Sequence, residues 1–252
     1  MSVAEFALLV VAGIAGGLFG TIAGLASLAT YPALLAVGLP PVSANVTNTV
    51  ALVFTGIGSV LSSRPELAGQ GRRIRRLAPM AVLGGIAGAV LLLSTPAEGF
   101  EKIVPFLIGF ASLTILIPRR APSDDQPAAP ETRTRVAESV GMALICVYGG
   151  YFGAAAGVLL LAMLLHTTHD ALPRANALKN ALLGFANGIA ALIFAFLAPV
   201  DWAAVLPLGI GCLIGAWLGP IVVRYTPVAV VRWAIGVAGL GLAIRLGIQA
   251  YG

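Results

Sequence analysis

Apolar residues run along this chain in long unbroken stretches, and the charged residues fall between them. Residues 6–63 contain no charged side chain, and further uncharged runs cover 77–97, 103–118, 139–169, 180–200 and 202–223. A helix needs about 20 apolar residues to cross a bilayer, so the pattern predicts membrane helices. Breakers and charges divide the runs into ten predicted segments: 3–18, 22–37, 43–63, 77–94, 101–118, 136–151, 155–166, 175–198, 203–222 and 228–248.

The composition leads to the same class of protein. Hydrophobic residues make up 59% of the chain and charged residues 10%, against about 45–50% and about 25% in soluble domains. A chain of 252 residues has no globular core large enough to bury that much apolar surface. Nothing shows the alternating pattern of membrane β-barrel strands. We therefore expect an all-α polytopic membrane protein whose partner is the lipid bilayer.

A glycine-rich phrase occurs twice in the chain. GGLFGTIAG spans Gly16–Gly24 and GGYFGAAAG spans Gly149–Gly157, and six of the nine positions are identical. A Pro-containing turn and an Ala-Asn pair follow each phrase and lead into a long predicted helix. Internal repeats of this kind are common in secondary transporters. We expect two homologous halves, 1–118 and 136–252, joined by the Pro-rich and charged linker 119–135.

Five segments per half allow three topologies. If all five cross the membrane, the second half is inverted relative to the first. If the first two segments of each half form a hairpin that enters and leaves on one side, three crossings remain and the halves are again inverted. If those two segments fuse into one broken crossing, four crossings remain and the halves are parallel.

The positions of the arginines favour inverted halves with both termini outside. Arginines cluster in residues 64–76 and in the linker 119–135, so both connections are expected on the cytoplasmic side. Inverted halves also place Arg174 and Arg224 inside. Because the arginines lie beside membrane segments, the net charge of +5 does not indicate a nucleic acid partner, and none is expected.

The glycine phrases are candidate substrate-binding elements. A glycine inside a helix costs about 1 kcal/mol relative to alanine, so the phrases predict either close packing of helices through small residues or breaks near mid-membrane. The helix that starts after a break presents free N–H groups and partial positive charge, which suit an anion. On that interpretation Gly20, Gly24, Gly153 and Gly157 meet at one substrate site.

A stripe of polar residues runs along the long helix that follows each phrase. The candidate side chains of the two stripes are Asn45, Asn48, Thr49, Asn176, Lys179 and Asn180. Helical spacing places the asparagines of each stripe on one face, where they contact either a substrate or another helix. Lys179 either points inward or extends to the membrane interface. We expect no carboxylate in the part of any segment that crosses the membrane, and on that expectation the stripes favour an anionic substrate.

Other chemistries receive little support from the sequence. His166 and His169 have a metal-ligand spacing, but they lack a third ligand apart from Asp170, so we expect no metal and no cofactor. Cys146 and Cys212 are interpreted as small buried residues, and a transmembrane thiol–disulfide electron carrier that uses them is the less favoured alternative. No nucleotide-binding loop of the P-loop type is present. We do not expect an enzyme.

The order and duplication of these motifs resemble a known family. GGLFGTIAGLASLATYPALLAVGLPP, YGGYFGAAAGVLLLAML and RANALKNALLGFANGIAALIFAF are similar to segments of the sulfite exporter TauE/SafE family of membrane permeases, over nearly the whole chain. The resemblance implies a transporter of the bacterial inner membrane. It also implies small anionic substrates, such as sulfite or sulfonates, that bind between two repeats and are moved by alternating access. An anion channel is the alternative, and the sequence is compatible with a homo-oligomer.

Overall fold

A computed structural model of the chain describes residues 1–116, 131–168, 170–223 and 228–251, and every regular element in these ranges is a helix. In chain order the helices are α1 (Val3–Ala23), α2 (Ser27–Ala36), α3 (Pro41–Ser62), α4 (Arg64–Leu67), α5 (Gly71–Ser94), α6 (Ala97–Leu116), α7 (Glu131–Tyr151), α8 (Ala156–Thr168), α9 (Leu172–Leu197), α10 (Trp202–Val223) and α11 (Val228–Tyr251). Most of the predicted linker 119–135 lies outside the described residues.

Each predicted segment coincides with a helix, and the all-α membrane fold is confirmed. Five of the described helices are long and apolar enough to cross a membrane, namely Val3–Ala23, Pro41–Ser62, Gly71–Ser94, Leu172–Leu197 and Trp202–Gly219. Some begin earlier than predicted: α5 begins at Gly71 rather than 77, and α7 begins at Glu131 rather than 136. The prediction stopped at charged residues, whereas a helix keeps its backbone hydrogen bonds beyond the apolar layer.

The first two helices of each half form a hairpin. Gly16 of α1 lies against Thr30 of α2, so the chain reverses direction between these helices. Gly141 of α7 lies against Met163 of α8 in the same way. We call α1 with α2 hairpin 1, and α7 with α8 hairpin 2. This side-by-side packing does not fit the fused topology, in which both helices of a pair would continue in one direction.

Each hairpin packs against a helix from the opposite half of the chain. α1 runs along α10, and the backbone of Gly17 lies directly against the backbone of Cys212. α7 runs along α5, where Gly88 lies against Val147. Glycines allow two helix backbones to approach closely, so close packing explains part of the first glycine phrase. The two halves of the sequence therefore interleave in space.

The central helices α3 and α9 run in opposite directions. Near the start of α3, the Ser43 hydroxyl donates to the carbonyl of Pro199, which follows the end of α9 (2.5 Å). Beyond the other end of α3, the Gln70 side chain donates to the carbonyl of Arg174, near the start of α9 (3.0 Å). Inverted halves would require this arrangement of equivalent helices. The inverted relation itself stays a prediction that these contacts support.

One buried carboxylate corrects the expectation that no acidic side chain lies in a membrane segment. Glu138 lies within α7, and its side chain is 3% exposed. Arg73 of α5 pairs with it at 3.2 Å, and Arg76 pairs with its second oxygen. Arg73 also pairs with Asp170 at 2.9 Å. Because two guanidinium groups compensate for its burial, Glu138 ties hairpin 2 to α5.

Candidate functional site

The tips of the two hairpins meet inside the molecule. Gly24 ends α1 with a φ of 77°, and its N–H donates to the Gly20 carbonyl at 2.8 Å. Gly153 follows the end of α7 with a φ of 73°, a conformation that favours glycine. Gly24 and Gly157 lie backbone to backbone, and a Cβ on Gly157 would lie 2.9 Å from the Gly24 carbonyl oxygen and closer still to its Cα. The two breaks that the glycine phrases predict are therefore present, and they touch.

A cavity of about 50 Å³ lies beside this contact. The two hairpin tips and one face each of α3 and α9 form its walls. The starts of both short helices take part, through Ala26 and Ser27 at α2 and through Ala156 and Gly157 at α8. A single water needs about 10–15 Å³, so the cavity has room for a solute of a few non-hydrogen atoms.

Six of the ten predicted site residues line this cavity, namely Gly20, Gly24, Thr49, Gly153, Gly157 and Asn180. Four polar residues that line the cavity are not among the ten predicted site residues, namely Ser27, Thr55, Ser59 and Asn187. Asn187 carried a usable signal, because it follows Asn180 by two helical turns and shares its face. Thr55 and Ser59 carried none, because only the packing of α3 beside α9 brings them to the cavity.

The remaining predicted residues of the second stripe, Asn176 and Lys179, donate hydrogen bonds to the end of α1. The Asn176 amide donates to the Thr21 carbonyl at 2.9 Å. The Lys179 ammonium donates to the carbonyls of Gly20 at 3.2 Å and Thr21 at 3.3 Å. The last carbonyls of a helix lack an intrahelical partner and carry partial negative charge. Lys179 is fully buried, so the alternative that it extends to the membrane interface is wrong.

In the first stripe, the side chains of Asn45 and Asn48 donate hydrogen bonds to the two hairpins. The Asn45 amide donates to the carbonyl of Tyr151, the last residue of α7, at 2.8 Å. The Asn48 amide donates to the Ser27 hydroxyl at 3.0 Å. Asn45 and Asn176 follow the two repeated alanines, and each binds the end of the first helix of the opposite half. For Asn45, Asn48 and Asn176 the geometry fits the hydrogen bonds between helices that the sequence analysis offered as one interpretation.

Lys179 lies behind the lining of the cavity and does not itself line it. Its ammonium binds the carbonyl of Gly20, and its neighbour Asn180 lines the cavity directly. Within the part of the chain that the structure describes, no carboxylate lies within 4.0 Å of this ammonium. A buried charge without a counter-charge is unfavourable. A negatively charged solute in the cavity would supply the missing charge.

Neither of the two cysteines lines the cavity. Cys146 and Cys212 are buried free thiols. Cys146 contacts Met142 at 3.7 Å within hairpin 2, whereas Cys212 packs against Gly17 of hairpin 1, so they lie in separate helix pairs. His169 and the His166 side chain are outside the described residues. Among the residues described, no group of three or more His, Cys, Asp and Glu side chains is placed to hold a metal ion.

Comparison with known proteins agrees with a membrane transporter. The family model described as "Sulfite exporter TauE/SafE" matches residues 8–246. The chain is 28% identical over 249 residues to probable membrane transporter protein ORF9 of Sinorhizobium sp, a match that covers 95% of this chain and 91% of the relative. It is 26% identical over 242 residues to probable membrane transporter protein YfcA of Escherichia coli K12, which covers 94% and 87%. A probable membrane transporter protein of Haemophilus influenzae is 26% identical over 218 residues, covering 84% and 83%. No solved structure matches the chain.

Proposed function

Since the chain belongs to the sulfite exporter TauE/SafE family and is a membrane transporter, we propose that it carries small anions through the cavity between the hairpin tips. The proposed substrates are sulfite and organosulfur anions such as sulfonates. The proposed location is the bacterial inner membrane. Residues 64–76 and 119–135 are assigned to the cytoplasmic side because arginines concentrate there.

The observation that carries the proposal is the buried amino group of Lys179, which binds the carbonyl of the cavity-lining residue Gly20. Both hydrogen bonds that it makes go to backbone carbonyls, which leave its net charge in place. Inside a membrane protein such a charge marks a substrate path or pairs with an opposite charge. Because no described carboxylate pairs with Lys179, an anion that occupies the cavity is the proposed counter-charge.

The starts of α2 and α8 supply the proposed direct contacts to the anion. Each short helix begins at the cavity, with Ser27 in α2 and Gly157 in α8 among the lining residues. The first N–H groups of a helix have no intrahelical partner and lie at the positive end of its dipole. Two such ends can hold an anion without a charged side chain in contact. Lys179 then acts from behind the wall.

Alternating access is the proposed mode of transport, because the contacts between the hairpins are few and separable. Hairpin 1 packs tightly with α10, and hairpin 2 packs tightly with α5, through glycines. The central helices α3 and α9 lie between the two assemblies, and Asn45 of α3 binds hairpin 2 while Asn176 of α9 binds hairpin 1. A shift of one assembly against the other would expose the cavity to one side and then to the other.

The membrane potential alone can drive export of an anion from a cell that is negative inside. At 100 mV it supplies about 2.3 kcal/mol per charge. Glu138, the buried carboxylate of α7, pairs with Arg73 and Arg76, so its charge is already compensated without a coupling cation. We therefore propose uncoupled export.

Sulfite efflux from proteoliposomes tests the proposed function. Vesicles that contain the purified protein and a negative internal potential should release sulfite faster than vesicles without protein. A carrier should show efflux that saturates with sulfite and accelerates when sulfite is added outside. Flux without saturation or acceleration would favour the channel alternative. Equal release from both kinds of vesicle, for sulfite and for methanesulfonate, would contradict the proposal.

A further inference from the structure

We propose that the cavity selects small anions that carry a hydrogen-bond donor of their own, such as hydroxy-substituted or amino-substituted sulfonates or a protonated oxyanion. This inference rests on the proposed function, because it concerns the substrate of the same cavity. The reason lies in the protons of the hydroxyl groups in the lining. Thr49 and Ser59 of α3 present acceptors to the solute, whereas Ser27 at the tip of hairpin 1 presents a donor.

The acceptors are the hydroxyl oxygens of Thr49 and Ser59. The Thr49 hydroxyl donates to the Asn45 carbonyl at 3.0 Å, and the Ser59 hydroxyl donates to the Gly56 carbonyl at 3.0 Å. A hydroxyl has a single proton and a carbonyl can only accept, so these bonds fix where both protons lie. Both side chains line the cavity, and what they still offer to a solute is their lone pairs.

The donors lie at the start of α2, where Ser27 has the opposite role. Its hydroxyl oxygen accepts an N–H from Asn48, and that bond uses a lone pair and leaves the proton of Ser27 available. Ser27 is also the first residue of α2, at the positive end of the helix dipole, although the N–H groups of the next three residues bond to the carbonyls of Leu25 and Ala26. The anionic end of a solute is therefore directed to the hairpin tips.

A solute that has only acceptor oxygens can accept from Ser27 and from the buried Thr55 hydroxyl, which also lines the cavity, but it places lone pairs against those of Thr49 and Ser59. At those two side chains the facing lone pairs lack a donor, which is unfavourable for buried groups. An O–H or N–H group on the solute satisfies these side chains while its anionic end binds the tips. Ser27, Thr49 and Ser59 together favour a solute that is negative at one end and a donor at the other.

Two sulfonates that differ in a single group test this inference. Isethionate carries a hydroxyl where propane-1-sulfonate carries a methyl group, and each is used as a competitor of sulfite efflux from proteoliposomes. We expect isethionate to reach half-inhibition at a concentration about fivefold to tenfold lower, the ratio that one hydrogen bond supplies. The variants Ser59→Ala and Thr49→Val should reduce that preference to about twofold or less.

A matched control comes from the same helix. The Ser62 hydroxyl donates to the Ser59 carbonyl at 3.2 Å, the same kind of bond as that of Ser59, but Ser62 does not line the cavity. Ser62→Ala should keep the full preference for isethionate. Thermal stabilisation of the purified variants by each sulfonate gives the same ratio without transport, in case a variant reconstitutes poorly.

Several outcomes would overturn the inference. Equal inhibition of the unaltered protein by both sulfonates would do so, as would an unchanged preference in both Ser59→Ala and Thr49→Val. Sulfite efflux that neither sulfonate inhibits would also overturn it, while leaving the proposed function in place. Absence of efflux for every anion tested would instead contradict the proposed function, and the inference would fail with it.

Discussion

Sulfite efflux is expected to fall on the order of 100-fold when Lys179 is replaced by methionine. A positive charge about 6 Å from an anion, at an effective dielectric constant of about 20, contributes about 3 kcal/mol, which corresponds to roughly 100-fold. Methionine has a similar length and no charge, so the substitution removes the charge while it fills most of the space. The measurement is the initial rate of efflux from proteoliposomes with equal protein content.

The other lysine of the chain provides the control for Lys179. Lys102 is exposed in α6, so Lys102→Met removes the same charge from outside the site and should leave the rate within about twofold. Melting temperatures of both purified variants separate a transport defect from unfolding, because Lys179 also binds Gly20 and Thr21. An unreduced rate in a folded Lys179→Met variant would remove this charge from the mechanism.

The second large effect is expected from alanine at Gly24. A Cβ there would overlap the backbone of Gly157 and lie 2.7 Å from the Val158 nitrogen. The left-handed conformation adds about 1–2 kcal/mol for a residue other than glycine, and the overlap adds about 1–3 kcal/mol. We expect the stability of Gly24→Ala to fall by about 2–5 kcal/mol, with loss of sulfite efflux. Denaturant unfolding in detergent and the efflux assay measure the two effects.

Two further glycines separate the causes of that loss. Gly38 has a φ of 91° and no atom within 4 Å of an added Cβ, so Gly38→Ala should cost only the conformational part, about 1–2 kcal/mol. Gly157→Ala retains the overlap with Gly24 without a left-handed φ and should cost about 1–3 kcal/mol. If Gly24→Ala lowers the free energy of unfolding no more than Gly38→Ala does, the hairpin tips do not touch.

The helices and the breaks could be predicted from the sequence for a physical reason. A chain in lipid must satisfy its backbone polar groups internally, so apolar runs become helices with few exceptions. Gly24 and Gly153 interrupt those runs twice with nearly the same residues, and the duplication indicated that the breaks belong together. Periodicity also placed Asn180 and Thr49 on inward faces, and both line the cavity.

The roles of the other stripe residues could not be predicted from periodicity. Helical spacing shows that Lys179 and Asn176 face the interior, but it does not show what lies opposite. The end of α1 comes from the other half of the chain, and only its carbonyls explain why a lysine and an amide lie there. Glu138 was missed for a similar reason, because its partners Arg73 and Arg76 are distant in sequence.

A crystal structure with selenite tests most directly whether an anion binds between the hairpin tips. Selenite has the shape and charge of sulfite, and its selenium atom can be located by anomalous scattering. We expect one strong anomalous peak in the cavity bordered by Ser27, Gly157 and Asn180. A peak confined to the surface cleft lined by Arg72 and Arg76, or no peak in the cavity at a selenite concentration that competes with sulfite efflux, would contradict anion binding at the tips.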